Sequence, residues 1–295
     1  MPLQNAFMLL LLGTIWGSSY LFIKITVAEI PPFTFVVLRT GIAGLILIAT
    51  LLLRGRRLPS GRQWLTLSVM GLFNALIPYG LIMWGELHIS SSLAAVLNAS
   101  MPLFTVVIAH FWSVNERLDG YKAAGVLVGF AGVVLLLLPD LDEGMTYDLL
   151  GGLAVVGAGL SYAIAAVYAR RTFHDQDPIL LSTGQLITGF VMTLPLAFLF
   201  EKPFALSPSL TAWGSLIALS VVGTAIAYVI YYWLLEHGGS VQASLVTYII
   251  PIGAMFWGWL LLRESIHWTF IVGLAAILLG IMIANRFQIV RTLSR

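Results

Sequence analysis

The feature that most constrains this chain of 295 residues is an internal duplication. The stretch WGELHISSSLAAVLNASMP, from Trp84 to Pro102, has a second copy, WLLEHGGSVQASLVTYIIP, from Trp233 to Pro251, and adding 149 to each number aligns the two without a gap. Further along the chain the offset becomes 148 and pairs Glu116 with Glu264. A chain made of two copies of one unit is expected to fold as two related halves.

Composition identifies the lipid bilayer as the solvent. Hydrophobic residues make up 59% of the chain and charged residues 9%, against about 45 to 50% and about 25% in soluble domains. The absence of cysteine excludes disulfides, thiolate metal sites and cysteine nucleophiles. A net charge of +2 gives no reason to expect nucleic acid as a partner. The GAGL segment at Gly157 to Leu160 does not open a strand-turn-helix unit, so a dinucleotide site is rejected, and we predict neither cofactor nor metal.

Ten stretches are apolar for about the 20 residues that a transmembrane helix needs. Short polar segments separate them, and none of these segments is long enough to form a soluble domain. The predicted spans are Ala6 to Val27, Phe33 to Leu53, Trp64 to Trp84, Ser91 to Val114, Tyr121 to Leu138, Leu149 to Ala169, Ile179 to Phe200, Leu210 to Leu235, Val241 to Leu262 and Trp268 to Arg286.

Basic residues predict the orientation, because cytoplasmic loops are enriched in Lys and Arg. The side opposite the amino terminus carries only Lys24, Lys202 and Arg263, while Arg39 lies within the second span. We therefore predict a bacterial-type inner membrane protein with both termini in the cytoplasm. The amino-terminal side carries eleven: Arg54, Arg56, Arg57, Arg62, Arg117, Lys122, Arg170, Arg171, Arg286, Arg291 and Arg295.

Five spans fall in each half, residues 1–145 and 146–295. Because five is odd, the second half enters the membrane the other way up. The predicted fold is therefore an all-α integral membrane protein with ten transmembrane helices, arranged as two inverted five-helix repeats around a central cavity. Inverted repeats are typical of transporters, in which two halves alternately expose a shared midplane site. A duplicated membrane scaffold without transport is the alternative.

Three stretches resemble a known family: LLGTIWGSSYLFIK near the start, PLFTVVIAHFWSVNERLDGYKAAGVLVGFAGVVLL, and its partner PIGAMFWGWLLLRESIHWTFIVGLAAILLGIMI. They resemble the drug/metabolite transporter superfamily, in particular its EamA-type ten-helix branch. The resemblance covers nearly the whole chain and implies a basket-like bundle with a central cavity lined by spans one, three, four, six, eight and nine. Within the branch, the chain is most similar to bacterial exporters of amino acids, including aromatic ones.

The central parts of the spans offer neutral polar and aromatic side chains, which suit a small zwitterionic or amphipathic solute rather than a polyanion. Lys24 and Arg39 are expected to snorkel toward the outer end, although they could bind a carboxylate in one conformation. Tyrosines could instead form an interfacial belt, and Asn74 and Asn98 could bond to neighbouring helices. The predicted lining residues are Trp16, Tyr20, Asn74, Tyr79, Asn98, Tyr162, Tyr228, Tyr231, Thr247 and Tyr248.

No carboxylate lies at the middle of a predicted span, so a buried acidic site for a proton or sodium is not expected. Coupling would have to use groups near the membrane edges, such as Glu86, Glu236, His88 or His237, or be absent, as in a facilitator. His88 and His237 either stabilise turns or take part in gating or proton transfer.

Three prolines are candidate hinges: Pro78, Pro102 and Pro251. A proline frees a backbone carbonyl within its helix, and Pro102 and Pro251 are equivalent positions of the duplication. Static kinks are the alternative explanation.

The sequence thus predicts an exporter of small metabolites, with amino acids, including aromatic ones, as the favoured substrates, working by alternating access. An exporter or permease of another metabolite or drug is the alternative, and a non-transporting scaffold or sensor is the alternative from a different class. The sequence shows neither a catalytic arrangement of His, Asp and Ser nor the spacing of metal ligands that an enzyme would need. Its expected partners are a small-molecule substrate and lipid. Monomer and homodimer both stay open, since Gly125 and Gly129 form a GxxxG motif.

Overall fold

The structure is a computed structural model that describes residues 2–112, 119–142, 146–173 and 176–284. All regular secondary structure in these ranges is helical. Several sequence predictions concern residues outside them: Glu116, the boundary between the halves at residue 145, the span ends Val114 and Arg286, and the basic residues Arg117, Arg291 and Arg295.

Ten helices are present in the described ranges, which confirms the predicted all-helical architecture. Eight of them contain a stretch long and apolar enough to cross a membrane, and α9 and α10 are shorter apolar helices. The helices are α1 (Leu3–Val27), α2 (Pro32–Leu53), α3 (Gln63–Glu86), α4 (Ser91–Trp112), α5 (Gly120–Asp142), α6 (Thr146–Thr172), α7 (Pro178–Phe200), α8 (210–244), α9 (Val246–Leu262) and α10 (Trp268–Ala284).

The connection between α8 and α9 differs from the prediction. The segment 236–240 was expected to be a loop, but α8 continues through it to Ser244, and α9 begins at Val246 after a break at Leu245. The segment EHGGS contains no proline, so no missing N–H group forces the helix to end there. In the first copy of the repeat, by contrast, α3 ends at Glu86 and Ser90 caps α4 by accepting a hydrogen bond from Leu93 N at 3.2 Å.

Both copies of the third helix of the repeat contain a π-helical segment. It spans Leu72–Leu76 in α3 and Val221–Ile226 in α8, which is the same place once 149 is added to the first numbers. A π-turn widens the helix and redirects its side chains, and such turns are frequent at functional sites. The widened backbone is held by hydroxyl groups, since Ser161 Oγ donates to Phe73 O at 2.8 Å and Thr224 Oγ1 donates to Leu219 O at 2.9 Å.

Helix packing follows a two-fold pattern. Helices α2 and α7 pack on each other, as do α5 and α10, and each of these pairs consists of repeat-equivalent helices. Helix α1 packs on α9 and α8, while its equivalent α6 packs on α4 and α3. Each half therefore supplies the same contacts to the other, as expected for two inverted repeats. We call the end of the bundle that holds the amino terminus proximal and the opposite end distal.

The three candidate hinge prolines lie in different local structures. Pro78 follows the π-segment of α3, and Pro102 follows a break in α4 at residues 99–100. Pro251 is buried inside α9, which is continuous around it. The two equivalent prolines therefore do not mark equivalent breaks, and their role as hinges stays a prediction.

The glycines of α5 and α10 allow close contact within the chain. A Cβ atom added to Gly280 would lie 2.5 Å from Gly125 O and 2.6 Å from Gly129 N. The GxxxG motif of α5 is thus used against α10, and by Gly129 against Leu103 of α4, in this structure. This is the close helix approach that small residues permit in membranes.

We expect Gly280→Ala to destabilise the protein by about 1 to 3 kcal/mol, because the added methyl group forces two backbones apart. Thermal unfolding in detergent, followed by the loss of the monodisperse peak on size-exclusion chromatography, measures the effect. Gly214→Ala is the matched control, since an added Cβ has nothing within 4 Å at Gly214. Equal unfolding temperatures for the two variants would contradict the packing described here.

Candidate functional site

A buried arginine lies between the two repeats. Arg39 of α2 is 7% exposed, and its guanidinium carbon lies 3.9 Å from the centre of the Tyr79 ring. Its Nε donates at 3.0 Å to Thr224 Oγ1, which lies within the π-segment of α8. Arg39 therefore does not snorkel to the outer end as predicted, because an aromatic face and a hydroxyl group hold it inside the protein. Within the described residues it forms no ion pair with a carboxylate.

An amide is linked to this arginine through Tyr20. Asn98 Nδ2 of α4 donates to Tyr20 OH of α1 at 2.8 Å. The buried Asn98 Oδ1 has no hydrogen-bond partner among the described residues. Tyr20 and Tyr162 are both close enough to Arg39 to interact with it electrostatically. Arg39 thus provides hydrogen-bond donors and Asn98 a free acceptor within one cluster, which we call the central cluster: Tyr20, Arg39, Tyr79, Asn98, Tyr162 and Thr224.

A second set of polar side chains crosses from one repeat to the other. Asn74 Nδ2 donates to Gln185 Oε1 at 2.8 Å, and Gln185 Nε2 donates to Tyr228 OH at 2.9 Å. Here the predicted lining residues Asn74 and Tyr228 are joined by Gln185 of α7, which the sequence analysis did not single out. A lone amide in the apolar stretch ILLSTGQLITGF was the available signal.

The remaining predicted lining residues are spread around the bundle. Trp16 and Tyr231 pack together with ring centres 5.5 Å apart, in an apolar cluster of α1, α8 and α9. Tyr248 packs on the apolar core that includes Tyr20 and Tyr79. Thr247 is partly buried in α9. The structure therefore brings Tyr20, Tyr79, Asn98 and Tyr162 together and places Tyr248 against the same apolar core. The other five lie outside the central cluster.

The two repeat-related histidines have matching surroundings. His88 packs on Trp84 with ring centres 4.7 Å apart, and His237 stacks on Trp233 at 4.3 Å. The carbonyl of His237 also accepts a hydrogen bond from Asn5 Nδ2 at 3.3 Å. These contacts involve the end of α3 and the equivalent turn within α8. A gating or proton role for either histidine stays a prediction.

Glu86 lies at the distal end of α3, at the edge of the span as the sequence suggested, and it is buried there. Its exposed fraction is 0%, and neither carboxyl oxygen has a hydrogen-bond partner among the described residues. Beside it, the Lys24 ammonium donates to Glu86 O at 2.5 Å and to Ile89 O at 2.8 Å. The partly buried Lys24 therefore binds carbonyls at the end of α3.

Three carboxylates at the distal end cap helices of the opposite repeat. Glu29 accepts hydrogen bonds from Ser209 N and Oγ at 2.6 and 2.7 Å. Glu201 accepts from Phe33 N and from Thr34 N at 2.9 and 2.6 Å. A helix amino terminus has unpaired N–H groups and a partial positive charge, so a carboxylate is a favourable cap there.

The third cap, Glu264, is the most extensive. One oxygen accepts from Ser91 N and Oγ, both at 2.8 Å, and the other accepts from Ser92 N at 3.0 Å and from Ser92 Oγ at 2.5 Å. We call Glu29, Glu201 and Glu264 the distal caps. Each one joins the two repeats, so together they hold the distal end closed.

The cap at Glu29 depends on pH. Hydrogen bonds from the Ser209 hydroxyl and backbone N–H hold the pKa of the Glu29 carboxyl below its ordinary value. A lowered pKa means that the contact favours the ionised form, so it persists at neutral pH and is lost only as the pH falls through that lowered value.

Among the described residues, the charged contacts at the proximal end are fewer and more exposed. Arg56 and Asp177 form an ion pair at 3.7 Å, and the Arg56 side chain is 67% exposed, so the pair contributes little to stability.

A cleft of about 240 Å³ lies near this ion pair between α3, α6 and α7, lined by Arg62 and Phe173 among others. Another cleft, of about 560 Å³, lies at the distal end of α9. Neither contains a predicted lining residue. In the central cluster Tyr20, Arg39, Tyr79 and Thr224 are buried, whereas Asn98 and Tyr162 are partly buried.

Comparison with known proteins agrees with this architecture. The family model of the EamA-like transporter family matches residues 4–138 and 149–286, once in each half. The uncharacterized transporter YoaV of Bacillus subtilis (strain 168) is 31% identical over 278 residues, covering 94% of each chain. The uncharacterized inner membrane transporter YedA of Escherichia coli (strain K12) is 29% identical over 259 residues, covering 88% of this chain and 82% of YedA.

The fold also matches a solved protein. A crystal structure superimposes with a TM-score of 0.67 at 21% identity, covering 96% of this chain and 98% of that one. The two family matches, the ten helices and the two-fold packing agree with one another, and the relatives are named as transporters. This chain is a member of the EamA-like transporter family, a membrane transporter of small molecules built from two repeats.

Proposed function

We propose that this protein exports a small zwitterionic metabolite, with amino acids as the substrate class, by alternating access between its two inverted repeats. The observation that carries the proposal is Arg39. A guanidinium removed from water without a carboxylate partner is costly, and a substrate carboxylate supplies the missing charge. Arginine binds a carboxylate with two parallel hydrogen bonds, which also orients the substrate.

The other end of a zwitterion has a matching group. Asn98 Oδ1 is a buried acceptor without a donor among the described residues, and an unpaired buried acceptor costs about 1 to 3 kcal/mol. A substrate ammonium can donate to it. The rings of Tyr20, Tyr79 and Tyr162 surround these groups, so an apolar or aromatic side chain has surfaces to contact.

Alternating access is supported by the difference between the two ends. The distal caps join the repeats through charged hydrogen bonds, whereas the proximal ion pair Arg56–Asp177 is exposed. A closed distal end with a weaker proximal end is the arrangement expected of a conformation that opens toward the proximal side. Movement of one repeat against the other would break one set of contacts at a time.

Counterflow in proteoliposomes tests the function. We expect vesicles loaded with an unlabelled amino acid to accumulate the labelled amino acid, and to exchange the decarboxylated amine or the deaminated acid at least about tenfold more slowly, a difference of about 1.4 kcal/mol. Exchange confined to sugars or nucleobases would contradict the substrate class. Absence of flux for the whole panel would favour a scaffold or sensor.

Arg39→Lys tests the carboxylate partner. Lysine keeps the positive charge but loses the planar group that lies over Tyr79 and donates to Thr224. We expect amino-acid exchange to fall by about tenfold or more, while exchange of the decarboxylated amine stays near that of the unmodified protein. Arg56→Lys is the matched control, because Arg56 is exposed at the proximal end. Equal losses for amino acid and amine would remove Arg39 from carboxylate recognition.

The proposed location is the bacterial inner membrane with both termini in the cytoplasm. Eleven basic residues on the proximal side against three on the distal side support this orientation, and YedA is named an inner membrane transporter.

The chain has no cysteine, so single cysteines can be introduced without background labelling. We expect an impermeant maleimide added to intact spheroplasts to label Phe204→Cys, where the side chain is 90% exposed, but not Arg57→Cys. Labelling of Arg57→Cys alone would reverse the orientation.

A further inference from the structure

Glu86 is a buried acid that the proposed substrate contacts leave unused. It lies at the last residue of α3, and its carboxyl group is fully buried without a hydrogen-bond partner among the described residues. An ionised carboxylate in such a place would be very unfavourable, since neither water nor a donor stabilises the charge. The geometry therefore favours the protonated, neutral form in this closed conformation.

The surroundings of Glu86 leave little space for water. On the α6 side, a Cβ atom added to Gly85 would lie only 2.8 Å from Gly151 O, so the two backbones are in close contact. On the α1 side, the Lys24 ammonium is engaged with the carbonyls of Glu86 and Ile89. The charged groups close enough to act on the Glu86 carboxyl are Lys24, Arg39 and Glu264, and Tyr20 also interacts with it.

Glu86 is also connected to the distal caps through Lys24 and the segment that joins α3 to α4. Lys24 binds Ile89 O, and Ser91, two residues further on, donates to Glu264. The ammonium that could neutralise an ionised Glu86 is thus held by the same short connection that Glu264 closes. Separation of Glu264 from α4 would loosen this connection, admit water and free the Lys24 ammonium to approach the carboxylate.

We infer that Glu86 is a proton-binding site whose occupancy is coupled to closure of the distal end. With the proton bound, the neutral carboxyl group can be buried and the distal end closes. When the distal end opens, the O–H bond of the Glu86 carboxylic acid breaks, the proton passes to water on the distal side, and the carboxylate that remains pairs with the Lys24 ammonium. The inference rests on the proposed function for the alternate opening of the two ends.

The pH dependence expected from Glu86 is opposite in sign to that of the caps. Loss of the Glu86 proton favours opening, so opening increases as the pH rises. Protonation of the Glu29 cap also favours opening, but only at acidic pH, because the pKa of Glu29 lies below its ordinary value. Near neutral pH the response of Glu86 should therefore dominate over that of the Glu29 cap.

Labelling of a single cysteine tests the inference without a substrate. Ile30 is 1% exposed in the distal connection between α1 and α2, so Ile30→Cys should react with an impermeant maleimide only when the distal end opens. Because the thiolate is the reactive form, the rate is divided by that of the exposed Phe204→Cys protein at the same pH. We expect this normalised labelling rate of the Ile30→Cys protein in detergent to rise about tenfold for each pH unit below the midpoint, as for release of one proton. Adding Glu86→Gln should abolish this rise and keep labelling slow, because the neutral amide mimics the protonated acid.

Glu236→Gln in the same background is the matched control, since Glu236 is an exposed carboxylate in α8, and it should keep the full response. A Glu86→Gln protein with the pH response of the control, or an Ile30→Cys protein with no pH response, would overturn the inference.

If the Glu86→Gln protein does not fold, the Lys24→Gln protein provides the test. Loss of the ammonium that stabilises the carboxylate should move the labelling midpoint to higher pH, and an unchanged midpoint would overturn the inference. Failure of counterflow by the unmodified protein would instead overturn the proposed function and leave the labelling result standing.

Discussion

Polar groups inside a bilayer must find partners within the protein, and this requirement organises the whole structure. Only 9% of the residues are charged, and several of these side chains join one repeat to the other. Glu264 caps α4, Glu201 caps α2, and Arg39 donates to Thr224 across the interface. Because these contacts lie between the repeats, any relative movement of the repeats must exchange them for water or for a substrate.

The frame of the protein is symmetric, but its chemistry is not. The π-segments of α3 and α8 coincide in the 149-residue register, and so do the Trp–His pairs. The same register places Leu235 opposite Glu86 and Thr247 opposite Asn98. The duplicated backbone therefore gives two similar halves that can move against each other, while the groups suited to bind a zwitterion or a proton come mainly from the first half.

Sequence reasoning predicted the features that depend on periodicity and repetition. Apolar length gives the ten helices, the duplication gives the two halves, and the central cluster contains four of the ten predicted lining residues: Tyr20, Tyr79, Asn98 and Tyr162. It missed Gln185, it placed Arg39 wrongly, and it did not predict that Glu86 is buried or that Lys24 binds carbonyls. The reason is physical, because the depth of a residue along a span is readable from sequence, whereas the direction of its side chain depends on neighbours from distant parts of the chain. Arg39 stays inside because Tyr79 and Thr224 face it, and neither is near it in sequence.

The charge of the central region connects substrate binding with the state of Glu86. Arg39 and Lys24 are both cations, and both act on the Glu86 carboxyl, as does the Glu264 carboxylate of the distal cap. A bound substrate carboxylate would reduce the remaining positive charge in the closed state, and so would an ionised Glu86. These two anions would then compete for the same cations, because each one neutralises part of the positive charge that stabilises the other. The proton on Glu86 and the substrate carboxylate at Arg39 would therefore favour each other's binding, since Lys24 and Arg39 both act on the Glu86 carboxyl.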